Sequence, residues 1–259
     1  MRFVSIRLAL AVCVSIHAGR SFAQKPVAAV DEPQVAAEVA PPQYMGRTIA
    51  QTMHYLGAEW LTRDTREREE ACSKLIEALA LEPGQMACDL GCGNGFYTLE
   101  MAPLIGPQGV VWAVDIQPEM LTMLGERAEK RGISNIKPVL GTIVDPQLPD
   151  GLFDLLLLVD VYHEFSNPEE MLREMRESLK PDGRIALVEY REEDPEVPIK
   201  PLHKMSQQQV LKEYEANGFK LVGQFDELPW QHVFFFARDD SPLEAVELKA
   251  WQMPKKNDE

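Results

Sequence analysis

From residue 86 to residue 237, short apolar runs alternate with stretches whose apolar positions return every three or four residues. Residues 86–90, 110–114, 136–140, 153–159 and 184–188 are runs of the first kind and read as strands. The run at 153–159 is so uniformly apolar that both of its faces must be covered. Residues 97–105, 118–130 and 168–179 carry the helical rhythm, with Pro118 opening the second of them and Gly132 closing it. The turn Pro181-Asp182-Gly183 leads into the fifth strand, and Ser206 with Gln209 has capping-box spacing for a helix ending at Gly218. Residues 219–224 and 232–237 supply two last strands. The link between them, residues 226–230, is too short for a crossover helix, so these two should pair antiparallel. The alternation predicts an α/β fold: a seven-stranded, mostly parallel sheet with helices on both faces and its last strand antiparallel.

Two amphipathic stretches, residues 48–61 and 66–81, precede the first strand and predict helices, the charged run from Arg63 to Glu70 reading as a solvated helix face. Residues 24–43 are dominated by Pro, Ala and isolated acids without an aromatic residue, the composition of a flexible linker. Residues 1–23 read as a cleavable signal peptide. Arg2 and Arg7 precede an apolar stretch, and Ser21-Phe22-Ala23 has the small-x-small pattern of a cleavage site after Ala23. Export to the periplasm or beyond is the corresponding expectation. The apolar stretch falls short of the roughly 20 residues a spanning helix needs, so no stable membrane span is expected. The folded domain should occupy residues 44–238, and residues 239–259 a polar, peripheral tail.

A hydrophobic content of 45% is ample for one core, and a formal charge of −15 argues against a phosphate backbone as partner: no nucleic acid is expected. Cleavage of the signal would leave Cys72, Cys88 and Cys92, an odd number that fits no disulfide scaffold. Cys88 and Cys92 have no histidine nearby, so they read as small apolar fillers and no metal is expected.

The chemistry concentrates where the first strand turns into its helix, the place at which ligands bind in such sheets. The residues there are Asp89-Leu90-Gly91-Cys92-Gly93-Asn94-Gly95. Glycines permit torsions and close approaches that a side chain blocks, and the helix start beyond them offers free N–H groups. A dinucleotide fingerprint, G-x-G-x-x-G, would place its third glycine where this chain has Phe96, which disfavours a dehydrogenase. Asp115 ends the next strand about 20 residues on, where a carboxylate can accept bonds from both ribose hydroxyls of an adenosine cofactor. Alone it would read as a turn residue; paired with the glycine loop it reads as a ligand.

This loop, Asp115, and the block running from Phe153-Asp154-Leu155 to Tyr162-His163-Glu164-Phe165 resemble the class I S-adenosylmethionine-dependent methyltransferases, over about residues 44–238. Within them the chain is most similar to the small-molecule group that includes ubiquinone and menaquinone biosynthesis enzymes and arsenite methyltransferases. The resemblance implies a Rossmann-like fold and S-adenosyl-L-methionine as cofactor. It implies that Asp89, Gly91, Cys92, Gly93 and Gly95 cradle the methionine half, with Asp89 near the amino group. Asp115 would bind the ribose, and Ile116 and Ile143 would lie against the adenine. Thr142 follows Gly141 where relatives often place an Asp, a departure that removes the usual contact to the adenine amino group; Asp145 lies three residues further along. Asp160, Tyr162 and His163 would form the floor between cofactor and acceptor, with His163 and Tyr162 the candidate catalytic residues. Tyr162 and Phe165 could equally only pack, and His163 could satisfy a backbone group. Glu164 reads as a first-turn helix charge, Glu189 as a site candidate by position, and His203 as a surface residue in a substrate-side insertion. Tyr44-Met45-Gly46-Arg47 could fold over the cofactor as a lid or simply start a helix. Direct methyl displacement onto a small-molecule acceptor is the leading expectation; an exported S-adenosylmethionine-binding protein without turnover is the alternative. Neither the acceptor nor the oligomeric state follows from these residues.

Overall fold

The computed structural model describes residues 42–253, so the expected signal peptide and all but the end of the linker at residues 24–43 lie outside the described residues. Seven strands build the main sheet: β1 Met86–Leu90, β2 Val110–Asp115, β3 Ile136–Leu140, β4 Phe153–Val159, β5 Leu179–Arg191, β6 Phe219–Phe225 and β7 Gln231–Arg238. Their spatial order is β3-β2-β1-β4-β5-β7-β6. The pairs from β3 to β5 are parallel, while β7 runs antiparallel to both of its neighbours. A two-residue strand, Lys204–Met205, adds in parallel to the end of β5 and makes the sheet eight-stranded. The Pro181-Asp182-Gly183 turn is an irregularity inside β5 and not its start, because Leu179 already pairs with Phe153 before the register shifts.

The α-helices among the described residues are α1 Arg66–Glu70, α2 Cys72–Ala78, α3 Thr98–Ile105, α4 Pro118–Arg131, α5 Pro168–Ser178 and α6 Gln207–Ala216. They cover the sheet on both sides, as its apolar strands require. The two-residue period of β4 sends Leu156 and Leu158 to one face, where they join Ile185, Leu187 and the apolar sides of α5 and α6. Leu155 and Leu157 point the other way, into a second cluster with Ala87, Val111 and residues of α2 and α3. Truncating any of these fully buried leucines to alanine should cost about 2–5 kcal/mol. Gly132 ends α4 in the left-handed conformation at φ +66°, as expected. Ser206 caps α6 by accepting from the Gln209 N–H at 3.2 Å. The Gln209 amide does not reciprocate; it donates to Met45 O and Glu213 instead. None of the described helices is long and apolar enough to cross a membrane.

The N-terminal part departs from expectation. Residues 48–61 are not an α-helix: a hairpin of Gln43–Tyr44 with Arg47–Thr48 gives way to extended chain and then to a 3-10 helix, Tyr55–Thr62. The reason lies in where the backbone groups find partners. Met53 N–H donates to both oxygens of Glu164, Tyr55 N–H to the Gln117 side chain, and Gln117 Nε2 returns a bond to Met53 O. Distant side chains thus replace the i−4 carbonyls of a helix. Residues 66–81 form two short helices, because Ala71 between them takes a left-handed conformation at φ +49°. The charged run is a solvated face only in part, at Asp64, Glu67 and Arg68. Arg66 and Glu70 are buried and bonded at 2.8 Å, Arg63 reaches the same carboxylate, and Tyr190 donates to it at 2.9 Å. Residues 239–253 are more than a loose tail: Val246 N–H donates to Leu221 O, and the Arg191 guanidinium lies 4.6 Å from the Trp251 ring.

Candidate active site

At the carboxyl edge of the sheet a cavity of about 560 Å³ opens, a size typical of ligand sites. Its glycine wall is a tight crossing of backbone. Gly91 and Cys92 N–H both donate to Val114 O, at 2.8 and 2.9 Å, tying the loop after β1 to the end of β2. Gly93 (φ +51°) donates its N–H to Asp115 Oδ2 at 2.9 Å, and a Cβ there would stand 2.5 Å from Leu61 Cδ1. The left-handed torsion favours glycine at this position, and a side chain would also displace the Leu61 methyl.

Asp115 is buried yet lines the cavity. Its Oδ1 accepts from Gln117 N–H at 2.9 Å, so each carboxylate oxygen takes one amide and keeps further acceptor capacity. Burial raises its pKa, and the amide bonds from Gln117 and Gly93 pull part of that back. Asp89 sits deeper, accepting from Thr98 Oγ1 at 2.5 Å; burial pushes its carboxyl up to about 6 against that bond. Ile116, Thr142 and Ile143 line the side of the cavity next to β2 and β3. Thr142 hydroxyl accepts from Val144 and Asp145 N–H and donates to Asp145 O, so it closes a turn. The Asp145 carboxylate is turned toward Gln147, whose backbone and side chain both donate to it, and does not stand in for the missing acid.

The side next to β4 and β5 carries the titratable groups. Asp160 follows β4 in the left-handed region at φ +51°, a conformation that favours glycine and that aspartate tolerates better than most residues. Its Oδ2 accepts from Gln231 Nε2 at 2.7 Å, while the buried Oδ1 has no partner among the described residues. Burial, followed by the charges of Glu70 and Glu189, holds this carboxyl well above its ordinary range. His163 is buried in the 3-10 turn Tyr162–Glu164. Its backbone N–H donates to Glu189 Oε1 at 3.2 Å, its Nδ1 lies 2.6 Å from Glu189 Oε2, and its Nε2 lies 3.0 Å from His203 Nδ1. Burial opposes its charged form, but the Glu189 charge and hydrogen bond outweigh that and raise its pKa. Glu164 is pushed up to about 7 by burial, with the His163 charge opposing.

Of the sequence candidates, Gly91, Gly93, Asp115, Ile116, Thr142, Ile143, Asp160 and His163 meet on the cavity wall. Four do not. Asp89 lies behind the wall with Thr98. Cys92 packs its side chain among Leu99, Ala113, Leu124 and Ala128, as the small apolar filler expected of it, and is absent from the cavity wall. Gly95 serves packing, since a Cβ there would stand 2.1 Å from Leu124 Cδ1. Tyr162 is corrected as a catalytic candidate: fully buried, it donates to Glu213 Oε2 at 2.6 Å on the far side of the turn. The reading of one lesser residue also changes: His203 is no plain surface residue but the partner of His163. Glu164 is a first-turn charge, as expected, though of a 3-10 helix, and it also accepts from Met53 N–H. The lid expectation for residues 44–47 is corrected too. That hairpin docks on α6, where Arg47 pairs with Glu213 at 2.7 Å and Asn217 donates to the Tyr44 hydroxyl. It is Thr52, Met53, Gly57, Trp60 and Leu61 that wall the cavity. Nothing in the local pattern marks these five; the segment is tied there by Met53, which bonds to Glu164 and Gln117.

Comparison with known proteins gives a family and a fold. The profile of a family described as a methyltransferase domain matches residues 81–234. Over 154 residues the chain is 29% identical to the ubiquinone/menaquinone biosynthesis C-methyltransferase UbiE of Vibrio parahaemolyticus, which covers 59% of this chain and 55% of that protein. It is 31% identical to the nocamycin O-methyltransferase of Saccharothrix syringae over 114 residues, 44% of this chain and 41% of that one. The chain thus spans about half the length of the curated relatives it matches. Among solved structures, a SAM dependent methyltransferase from Aquifex aeolicus superimposes with a TM-score of 0.67 at 23% identity, covering 71% of this chain and 98% of its own. The [4+2]-cyclase SpnF does so at 0.53 and 24%, covering 60% of each chain. At these identities the likeness is one of fold, and a cyclase on the same fold shows that the site, not the sheet, decides the reaction.

Proposed function

The chain belongs to the methyltransferase-domain family, and from that premise we propose that it transfers a methyl group from S-adenosylmethionine to a small-molecule acceptor. The observation that carries this reading is Asp115, held by the Gly93 and Gln117 amides at the cavity wall with acceptor capacity left over. The residues present fit a cationic adenosyl cofactor. Ile116 and Ile143 offer apolar surface beside Asp115 for a base, and the unpartnered Asp160 oxygen suits a positive group. A cation placed there would favour the ionised carboxylate that burial otherwise suppresses.

When bound, S-adenosylmethionine supplies an electrophilic methyl group on a sulfonium that departs as a neutral thioether. The protein's work is then alignment and exclusion of water. Asp115 orients the ribose, and Trp60, Leu61 and Met53 close the apolar side of the cavity. On the acceptor side Glu189 holds the His163 ring by Nδ1 and leaves Nε2, with His203, as the place where an acceptor proton is received. Export remains part of the proposal, supported by Arg2, Arg7 and the Ser21-Phe22-Ala23 pattern. Fractionation of the native host tests it, and a full-length chain confined to the cytoplasm would end it.

The test of activity has two stages. Calorimetry should show one S-adenosylmethionine bound per chain; absence of binding sinks the proposal. Incubation with methyl-labelled cofactor and small-molecule extract should then yield a labelled product. Binding with no product from any fraction would replace it with a binding protein lacking turnover.

A further inference from the structure

We infer that His163, Glu164 and His203 form a binding site for one divalent transition-metal cation of the zinc class, at the acceptor side of the cavity. The existence of the site stands on geometry alone; its chemical consequence rests on the methyl-transfer reading above. His163 Nε2 and His203 Nδ1 are 3.0 Å apart, and each lies 3.8 Å from Glu164 Oε1. Tetrahedral zinc with bonds of about 2.0–2.1 Å separates its ligand atoms by about 3.3 Å, between those two spacings. The point in their plane equidistant from the three atoms lies about 2.1 Å from each, which is a zinc–ligand distance. Little adjustment is needed to seat the ion.

Three features separate this cluster from an incidental hydrogen-bonded pair. Glu189 grips His163 at its backbone N–H and at Nδ1, which fixes the ring and directs Nε2 to the other two groups. A carboxylate behind the free nitrogen of a histidine is the usual second layer of a metal site. Glu164 is nearly buried, yet among the described residues it has no Lys or Arg partner; Arg47, which donates to His163 O, is paired with Glu213. Among the described residues its ion-pair neighbours are the two imidazoles alone, the same groups that would share a cation with it. Finally, the ligands come from two rigid 3-10 turns, Tyr162–Glu164 and Pro201–His203, that tertiary structure brings into register forty positions apart. Two imidazoles and one carboxylate suit zinc, cobalt, nickel or ferrous iron better than magnesium or calcium, which prefer oxygen alone. All three residues line the cavity, so three protein ligands would leave a fourth position open to it.

That position would take the acceptor's oxygen or sulfur. An alcohol or thiol bound there loses its proton to solvent more readily; its electron pair attacks the methyl carbon, and the pair of the broken carbon–sulfur bond stays on sulfur. The acceptor class is then a hydroxyl or thiol compound able to ligate the cation; with the cation bound, His163 Nε2 is a ligand, and its proton-receiving role belongs to the metal-free chain.

The experiment uses the full chain, stripped with a chelator and titrated with Co²⁺ as a visible-absorbing probe, then with Zn²⁺ in competition. One equivalent should bind with the visible bands of low-coordinate cobalt. His203→Ala, at a half-buried position, and Glu164→Gln should each weaken binding by at least about tenfold; Glu189→Gln, a positioning residue, should weaken it about 10–100-fold and shift the cobalt spectrum. Asp115→Ala should weaken cofactor binding by about 10²–10⁴-fold and leave cobalt binding unchanged, so that failure of the metal site and failure of the methyl-transfer reading are told apart. No stoichiometric binding, or binding that the folded His203→Ala and Glu164→Gln chains retain in full, overturns the inference. His203→Gln is the second variant should His203→Ala melt early.

Discussion

Replacing Asp115 with alanine perturbs two things that can be measured separately. The carboxylate accepts from the Gly93 and Gln117 amides at 2.9 Å each, in a buried position. Losing it leaves two amides short of a partner, a cost of about 1–3 kcal/mol for each that water does not reach. The same carboxylate would take two ribose hydroxyls of a bound cofactor, each charge-assisted bond contributing about 1.5–3 kcal/mol. Binding of S-adenosylhomocysteine, followed by calorimetry, should therefore weaken by about 10²–10⁴-fold in Asp115→Ala. To separate loop collapse from the lost ribose contact, the 2′-deoxy analogue is titrated against both proteins. It should bind the wild type at least about tenfold more weakly than the parent ligand, yet bind Asp115→Ala nearly as well as the parent does, because the two changes remove the same bond. If the variant melts like the wild type and binds the parent ligand within threefold of it, Asp115 is not the ribose ligand. If the analogue loses equally in both proteins, the contact lies elsewhere.

Three further outcomes follow from the same structure. Asp89, raised from its ordinary 3.8 to about 6 by burial, binds a proton more tightly folded than unfolded. Its contribution to stability is thus fullest below pH 3.8 and is lost as pH rises through 6, by about 3 kcal/mol. Urea titrations between pH 4 and 7 should show this slope in the wild type and a flatter one in Asp89→Asn, and parallel curves would contradict it. Gly95→Ala should cost about 2–4 kcal/mol, from the left-handed torsion at φ +80° and the overlap with Leu124. Gly125→Ala, on the exposed side of α4 with nothing within 4 Å, should raise the melting temperature, a gain of about 0.5–1 kcal/mol; equal melts for the two variants would refute the packing role given to Gly95. Glu70→Ala should cost about 3–5 kcal/mol by leaving Arg66 buried without its partner, whereas breaking the exposed Arg131–Glu100 pair should cost under about 1 kcal/mol. Similar losses for the two would show that the buried pair is not what anchors α1.

The sequence by itself determined the sheet and the pairing of the glycine loop with Asp115 on the cavity wall. Strands 86–90, 136–140 and 153–159 have in the structure the bounds that their apolar runs indicate, and β7 is antiparallel as the short link before it demands. Gly93 and Asp115 were legible because a glycine loop and a strand-end carboxylate are local signals, each produced by one chain segment obeying backbone sterics. The remainder was decided by tertiary structure. Whether residues 48–61 coil depended on Gln117 and Glu164 taking their amides. Whether Arg66 and Glu70 faced water depended on Tyr190 arriving from β5 and on the rings of Phe96 and Tyr97 beneath the guanidinium. Tyr162, adjacent in sequence to His163, points to α6, while His203, forty residues away, comes within 3.0 Å. Short-range periodicity records which face of an element is apolar. It does not record which polar groups from different elements will neutralise one another once water is removed, and the Glu189–His163–His203 chain on the cavity wall is such a pairing.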